Sequence, residues 1–300
     1  EGSGGSFRRG SQELHVHEGV PLHNLSAIFV LAVAVGDGHA VFVSRGGQAF
    51  AVGRNDRGQL GLCDHNVRCQ PTMLPPLRAM QVAADDPGQD ARGESSFPPA
   101  ESQRSRQSGR SSSKPKVQPI RTDLSEFAII AAACGSVHTL LLARPLKGGE
   151  QQVFICGAWE ALGLEGCYQD QSEAVDLALE PAGDVTAIAA RAGASCCASS
   201  TAGFSADAAE HLLFFWGEVE CSVCPNFFAA PAPCFRIPDA VKAVSLGGCF
   251  GLALDNAGVV YAWGDGTYGE LGGADPVDLG TADPESLAAG KLSELPTPGR

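Results

Sequence analysis

Apolar residues along the chain come in short runs of four to seven, rich in Val, Ala, Phe and Leu, and each run ends at Gly, Asn, Asp or Ser. Runs so short and so bounded predict strands, since a helix needs a longer periodic stripe. VFV and AFAV meet across Arg45-Gly46-Gly47, and LAL and VVYAW across Asp255-Asn256-Ala257-Gly258. Both junctions predict hairpins, because glycine accepts positive φ without a Cβ clash.

The runs recur as one unit: an apolar strand, a glycine, a second apolar run, and a strand ending in aromatic-x-x-Gly or aromatic-x-Gly. The first copy carries Gly36, His39, Gly53 and the close Gly58-Gln59-Leu60-Gly61. The fourth carries Gly247, Trp263, Gly264 and Gly269-Glu270-Leu271-Gly272, and Gly247 to Gly264 spans the same 17 residues as Gly36 to Gly53. The second keeps Gly135, His138 and Gly157 across a longer hairpin, with a degraded ending; the third keeps Gly193 and Gly217 and lacks the close. Gly135, Gly193 and Gly247 lie 58 and 54 residues apart. A small antiparallel sheet buries too little to stand alone, so the copies must pack face to face. Radial packing of four-stranded blades is the solution for units of about 50 residues. The expected fold is therefore all-β, a β-propeller with about four blades present. The expected divisions are 1–26 as tail and end of a preceding repeat, 27–82 as repeat 1, 83–122 as an insertion, 123–182 as repeat 2, 183–239 as repeat 3, and 240–300 as repeat 4 with an acidic connector.

Gly-x-x-His before an apolar strand, the aromatic-x-x-Gly strand end and Asn55-x-x-Gly58-Gln59-Leu60-Gly61 together resemble the regulator of chromosome condensation repeat. QPTMLPPL (Gln70 to Leu77) looks like the Pro-rich ending of such a repeat, and VPLHNL (Val20 to Leu25) like the tail of an earlier one. The resemblance covers roughly 20–80 and 123–280. It implies a seven-bladed ring, which four copies do not close; further blades lie outside this chain, or their motifs have decayed. Cys196 and Phe250 stand where the repeat expects His.

Composition adds limits. The 37 Gly and 19 Pro exceed the usual shares of about 7% and about 5%, as frequent turns require. A formal charge of −13 argues against nucleic acid or an anionic membrane as main partner. The one cationic patch is in the insertion, where Arg104, Arg106, Arg110, Lys114, Lys116 and Arg121 alternate with serines. That composition predicts a disordered loop, either merely solvated or serving nuclear import or phosphate contact. The eleven cysteines follow no disulfide framework, which predicts a reducing, intracellular setting, cytoplasmic or nuclear. The longest apolar run, Ala27 to Val35, is far short of the roughly 20 residues of a spanning helix. The chain opens on Glu1 in EGSGGS, without a secretory leader and without methionine, as a fragment or processed chain would.

Candidate chemistry is sparse. Gly264-Asp265-Gly266-Thr267-Tyr268-Gly269 spells G-x-G-x-x-G, but the following Leu271-Gly272-Gly273-Ala274-Asp275-Pro276 cannot propagate the helix that dinucleotide binding needs. Cys221-x-x-Cys224 lacks an obvious second pair; Cys196, Cys197, Cys234 and His211 are the available donors, and buried apolar cysteines explain them more simply. His39 and His138 recur at one repeat position, which predicts a structural hydrogen bond in each blade, not catalysis. No catalytic residue, metal or cofactor is expected. The expected role is a non-catalytic protein-interaction scaffold with a partner of unknown identity. Arg54, Asp56, Arg57, Asp265 and Tyr268 are its exposed-turn candidates. Two alternatives stand beside it: nucleotide exchange on a Ran-type small GTPase with chromatin association, which the resemblance implies, and a propeller module of a larger ubiquitin ligase or kinase.

Overall fold

The computed structural model describes residues 6–9, 12–15, 22, 25–78, 126–164, 167–180, 182–201, 209–217, 228–248, 250–264 and 267–272. The chain divides into two units, Glu1–Ala79 with Ser125–Arg300, and Met80–Leu124. The second unit, the Ser/Arg-rich insertion within it, the acidic connector, Cys221, Cys224 and Asp265 lie outside the described residues.

The first unit is all-β, with four blades arranged as a β-propeller. A hairpin pairs β1 (Ser6–Arg9) with β2 (Gln12–His15). Blade 1 is β3 (Val30–Val35), β4 (His39–Ser44), β5 (Ala49–Gly53) and β6 (Arg68–Met73). Blade 2 is β7 (Phe127–Cys134), β8 (His138–Pro145), β9 (Gln152–Gly157) and β10 (Gln171–Leu177). Blade 3 is β11 (Asp184–Arg191), β12 (Ala194–Thr201), β13 (Glu210–Gly217) and β14 (Phe228–Ile237). Blade 4 has three described strands, β15 (Val241–Leu246), β16 (Phe250–Asp255) and β17 (Val260–Gly264). Every pairing is antiparallel between sequence neighbours, so each blade is a meander. Among the described residues no helix is long and apolar enough to cross a membrane.

The cores are seams between blades. Val41, Val43, Ala49 and Ala51 of blade 1 pack with Phe127, Ile129, Leu141 and Phe154 of blade 2. Leu140, Leu142, Val153 and Ile155 on the other face of blade 2 pack with Cys197, Leu212, Phe214 and Trp216 of blade 3. Cys196, Leu213 and Phe215 then meet Ala253, Tyr261 and Trp263 of blade 4.

Register corrects the alignment of the third repeat. In blades 1, 2 and 4 the residue opposite the strand-end glycine is His39, His138 and Phe250; in blade 3 it is Ala194, not Cys196. Arg191, not Gly193, therefore takes the place of Gly36, Gly135 and Gly247. The intervals Gly135 to Arg191 and Arg191 to Gly247 then become 56 residues each, replacing 58 and 54. Gly193 misleads because it closes a tight turn with Ala192, which takes a left-handed φ of 49°. The same register exposes a feature invisible in sequence. The first strand of every blade shifts register once, between Val30 and Ala32, Ile129 and Ala131, Val185 and Ala187, and Val241 and Ala243. A bulge at a fixed place increases strand twist identically in each blade.

The strand-end glycines are sterically required. At Gly157, φ is +122° and an added Cβ would lie 2.3 Å from the Val137 carbonyl oxygen; Gly53 and Gly217 meet the carbonyls of Gly38 and Gly193 at 2.4 and 2.2 Å.

The histidine expectation needs a correction as well: the bonds run between blades. His39 Nε2 lies 2.8 Å from Thr139 Oγ1 of blade 2, and His138 Nε2 lies 2.8 Å from Ser195 Oγ of blade 3. The Thr139 hydroxyl donates to the Gln59 carbonyl at 2.7 Å, so its one proton is committed and His39 donates through Nε2. Burial pushes the imidazole of His39 down to about 4 and that of His138 to about 3.

Two predictions follow from these seams. Gly157→Ala should cost about 3 kcal/mol, against about 1 kcal/mol for Gly258→Ala, where φ is also positive but nothing lies within 4 Å; urea titrations of the two variants measure this, and equal losses would refute the steric account. Both histidines are neutral when folded, whereas the unfolded chain takes up protons near pH 6.5. Their stabilisation is thus complete above pH 6.5 and declines as pH falls towards 4 and 3, by about 2 kcal/mol per ring at pH 5. Unfolding midpoints at pH 7.5 and 5.0 should show that decline, and it should shrink in His138→Gln.

Candidate interaction surface

In a four-stranded meander, the turn joining the first two strands and the connector joining the last two leave at the same end of the sheet. That end gathers the turns at Gly36–His39 and Gly135–His138 with the connectors 54–67 of blade 1 and 158–170 of blade 2.

The blade 1 connector is folded inward. Asn55 and Gln59 are fully buried: Asn55 Oδ1 accepts from Leu60 N at 2.9 Å, its Nδ2 donates to the Asp64 carbonyl at 2.7 Å, and Gln59 Oε1 accepts from Arg57 N at 2.9 Å. Leu60 fills the first seam, and Gly58 and Gly61 take φ of +80° and +66°. The connector also pairs with blade 2, where Cys63 N donates to the Ser172 carbonyl and Leu62 bridges Glu173. The second blade's shorter close retains Leu162, fully buried, and Gly163 at φ +67°, after a 3-10 turn at Trp159–Ala161.

Arg57 turns out to span the seam. Its guanidinium donates to Asp170 and Glu160 of blade 2 at 3.1 Å each. Asp170 also accepts from Trp159 N at 3.1 Å, and Trp159 meets the ring of Tyr168 edge to face at 5.9 Å. Arg54 and Asp56 face solvent and bind each other, with Arg54 Nε donating to Asp56 Oδ1 at 2.7 Å; this bond holds the Asp56 carboxyl below its usual range. Tyr168 is 76% exposed. In blade 4, Tyr268 takes the position of Arg57 and is 90% exposed, its N–H donating to Glu270. Gly264, Gly269, Leu271 and Gly272 frame that loop, and turns occupy 267–272, with no described helix beyond the G-x-G-x-x-G.

Sequence reasoning missed Glu160, Asp170, Trp159 and Tyr168. The two carboxylates lie 103 and 113 residues from Arg57 and no local pattern links them. Tyr168, an aromatic residue in the polar run Tyr168-Gln169-Asp170-Gln171, was the available signal. Among the described residues no cluster of His, Cys, Asp or Glu could hold a metal ion. Cys196 and Cys197 enter different seams, and His211 is bonded to Ser200.

The description Regulator of chromosome condensation (RCC1) repeat matches residues 30–59 and 241–270 in one form, and 46–84 in another. Among solved structures, human WBSCR16 is 19% identical, with a TM-score of 0.50 over 82% of this chain and 50% of that one. Prp20p of Saccharomyces cerevisiae, whose structure is described with its binding to Gsp1p and histones, is 16% identical, with a TM-score of 0.48 over 80% of this chain and 46% of that one. Yeast RCC1 (Prp20) bound to Kap60 is 15% identical, with a TM-score of 0.48 over 85% and 46%. The chain thus spans about half the length of each. No curated protein matches it in sequence. The matches fall on blades 1 and 4, so residues 30–84 and 241–270 of this chain are regulator of chromosome condensation (RCC1) repeats.

Proposed function

We propose that the chain is a non-catalytic protein-interaction module whose partner docks on the connectors of blades 1 and 2. The repeat propeller is a scaffold that presents loops on a rigid base, and rigid loops bind with little ordering cost. The observation that carries the reading is the exposed Tyr168, edge to face with Trp159, on a blade 2 connector that Arg57 locks to the blade 1 connector carrying the exposed Arg54–Asp56 pair. Tyr, Trp and Arg are the residues that most often dominate interface energies. A formal charge of −13 favours a partner whose contacting surface is basic.

Affinity capture with the full chain should return a stoichiometric partner. Tyr168→Ala should weaken it by about tenfold or more without lowering the melting temperature, a loss typical of an interface anchor. Arg57→Ala should lower the melting temperature, because it leaves Glu160 and Asp170 without their shared cation. Capture that is indifferent to Tyr168 and to charge reversal of Arg54 and Asp56 would overturn the assignment. GDP release from a Ran-type small GTPase should proceed at its spontaneous rate with the chain present; acceleration would replace the scaffold reading by exchange activity.

A further inference from the structure

Tyr168 and Trp159 form a corner on the blade 2 connector, with ring centroids 5.9 Å apart and planes inclined at 61°. In an edge-to-face pair the positive edge of one ring is spent on the negative face of the other, so the faces left over are negative. Tyr168 is 76% exposed and Trp159 half-buried, which keeps ring surface of the corner in water. Among the described residues the one cation over an aromatic ring is Arg45, on Phe29 at 5.7 Å, so none occupies this corner.

The charges beside the rings have the same sign as their faces. Glu160 follows Trp159 in the chain, and Asp170 Oδ1 accepts the Trp159 N–H at 3.1 Å. Arg57 serves both carboxylates, donating to Glu160 Oε1 and Oε2 at 3.1 and 3.4 Å and to Asp170 Oδ2 at 3.1 Å. One guanidinium thus answers two carboxylates, and a negative charge is left over next to negative ring faces. A phosphate or carboxylate brought to the corner meets repulsion from both. An apolar side chain would cover the rings but take the leftover charge out of water unpaired. A cation satisfies both features at once. Of the two common cations, the guanidinium fits better: it is planar, stacks on aromatic faces and is weakly hydrated, whereas an ammonium holds its water tightly.

We propose that the Trp159–Tyr168 corner seats an arginine side chain from a basic segment of the partner, its guanidinium stacked on Tyr168 and facing the carboxylates that Arg57 only half neutralises. This inference rests on the connector reading above and names the chemistry of its central contact.

The chain has three tryptophans, and Trp216 and Trp263 are fully buried, so Trp159 alone can report on a ligand in solution. With the full chain labelled with fluorotryptophan, titration with the amidated peptide Gly-Arg-Gly should move the Trp159 fluorine resonance saturably and leave the other two in place. The same peptide with citrulline for arginine, neutral and of nearly the same shape, should leave all three unmoved. Tyr168→Leu should bind the arginine peptide about two- to fivefold more weakly, the range of an exposed cation–π contact, while Tyr168→Phe, which keeps the ring, binds as the unaltered chain does. Neither substitution changes a charge, so a difference between them cannot come from net electrostatics. A Trp159 resonance that arginine leaves unmoved, equal shifts with citrulline, or equal affinity of the Leu and Phe variants would overturn the proposal. Capture of a partner that depends on Tyr168 could survive any of these results, which separates failure here from failure of the connector reading.

Discussion

A blade of this protein has apolar side chains on both faces, and a sheet of that kind is stable only between two neighbours. The burial patterns follow from that constraint. In β8, Leu140 and Leu142 enter the seam with blade 3 while Leu141 and Ala143 enter the seam with blade 1, so four successive residues are buried. In β3, which has one covered face, burial alternates instead: Ala32 and Ala34 pack on the first seam, while Leu31, Val33 and Val35 are exposed. Identical strand chemistry thus gives continuous or alternating burial according to how many neighbours the blade has.

At the recurring histidine position of the seams, polar side chains occur in pairs. His39, Thr139 and the Gln59 carbonyl form a short buried chain of hydrogen bonds, and the next seam repeats its first link with His138 and Ser195. Losing one member would strand the other at the cost of an unmet buried polar group. In the third seam both members are gone, and the space is used by aromatic rings: Phe215 and Trp263 lie 5.4 Å apart edge to face, and a Cβ on Gly251 would lie 2.3 Å from Trp263. One seam thus trades a directional contact for rings and a missing methyl, with the blade geometry unchanged.

The parts of the fold legible in the sequence were those set by local chemistry. Hairpins at Arg45–Gly47 and Asp255–Gly258 follow from glycine at positive φ, and both repeat ends from the Gly58–Gly61 and Gly269–Gly272 closes. Outer strands were less legible: β14 contains Pro231 and Pro233, residues that argue against a strand except at an edge, which is where β14 lies. The first-strand bulge left no residue signature, since Leu31, Ile130, Thr186 and Lys242 share no property. The third repeat was misread by two residues because a glycine is equally at home at either corner of a tight turn, and only pairing decides which. The candidate surface was half legible: Arg54 and Asp56 followed from the connector, but the direction of Arg57 depends on carboxylates more than a hundred residues away.

Connectors at one end of the blades answer to two demands, and the balance between them determines where binding specificity can reside. In blade 1 the first half of the connector belongs largely to the seam: Asn55, Gln59 and Leu60 are buried, Gly58 would clash with Ser172 if it bore a Cβ, and within 54–61 only Arg54 and Asp56 are exposed. In blade 2 the close is shorter, and Leu162, Gly163 and Leu164 serve the next seam. The residues released from that duty, from Trp159 to Asp170, supply the exposed aromatic pair and the carboxylates that receive Arg57. Divergence of the repeat close is therefore what frees a blade to present a surface of its own. A blade that kept the full Asn-x-x-Gly-Gln-Leu-Gly sequence would hold its neighbour firmly and have little left to show a partner.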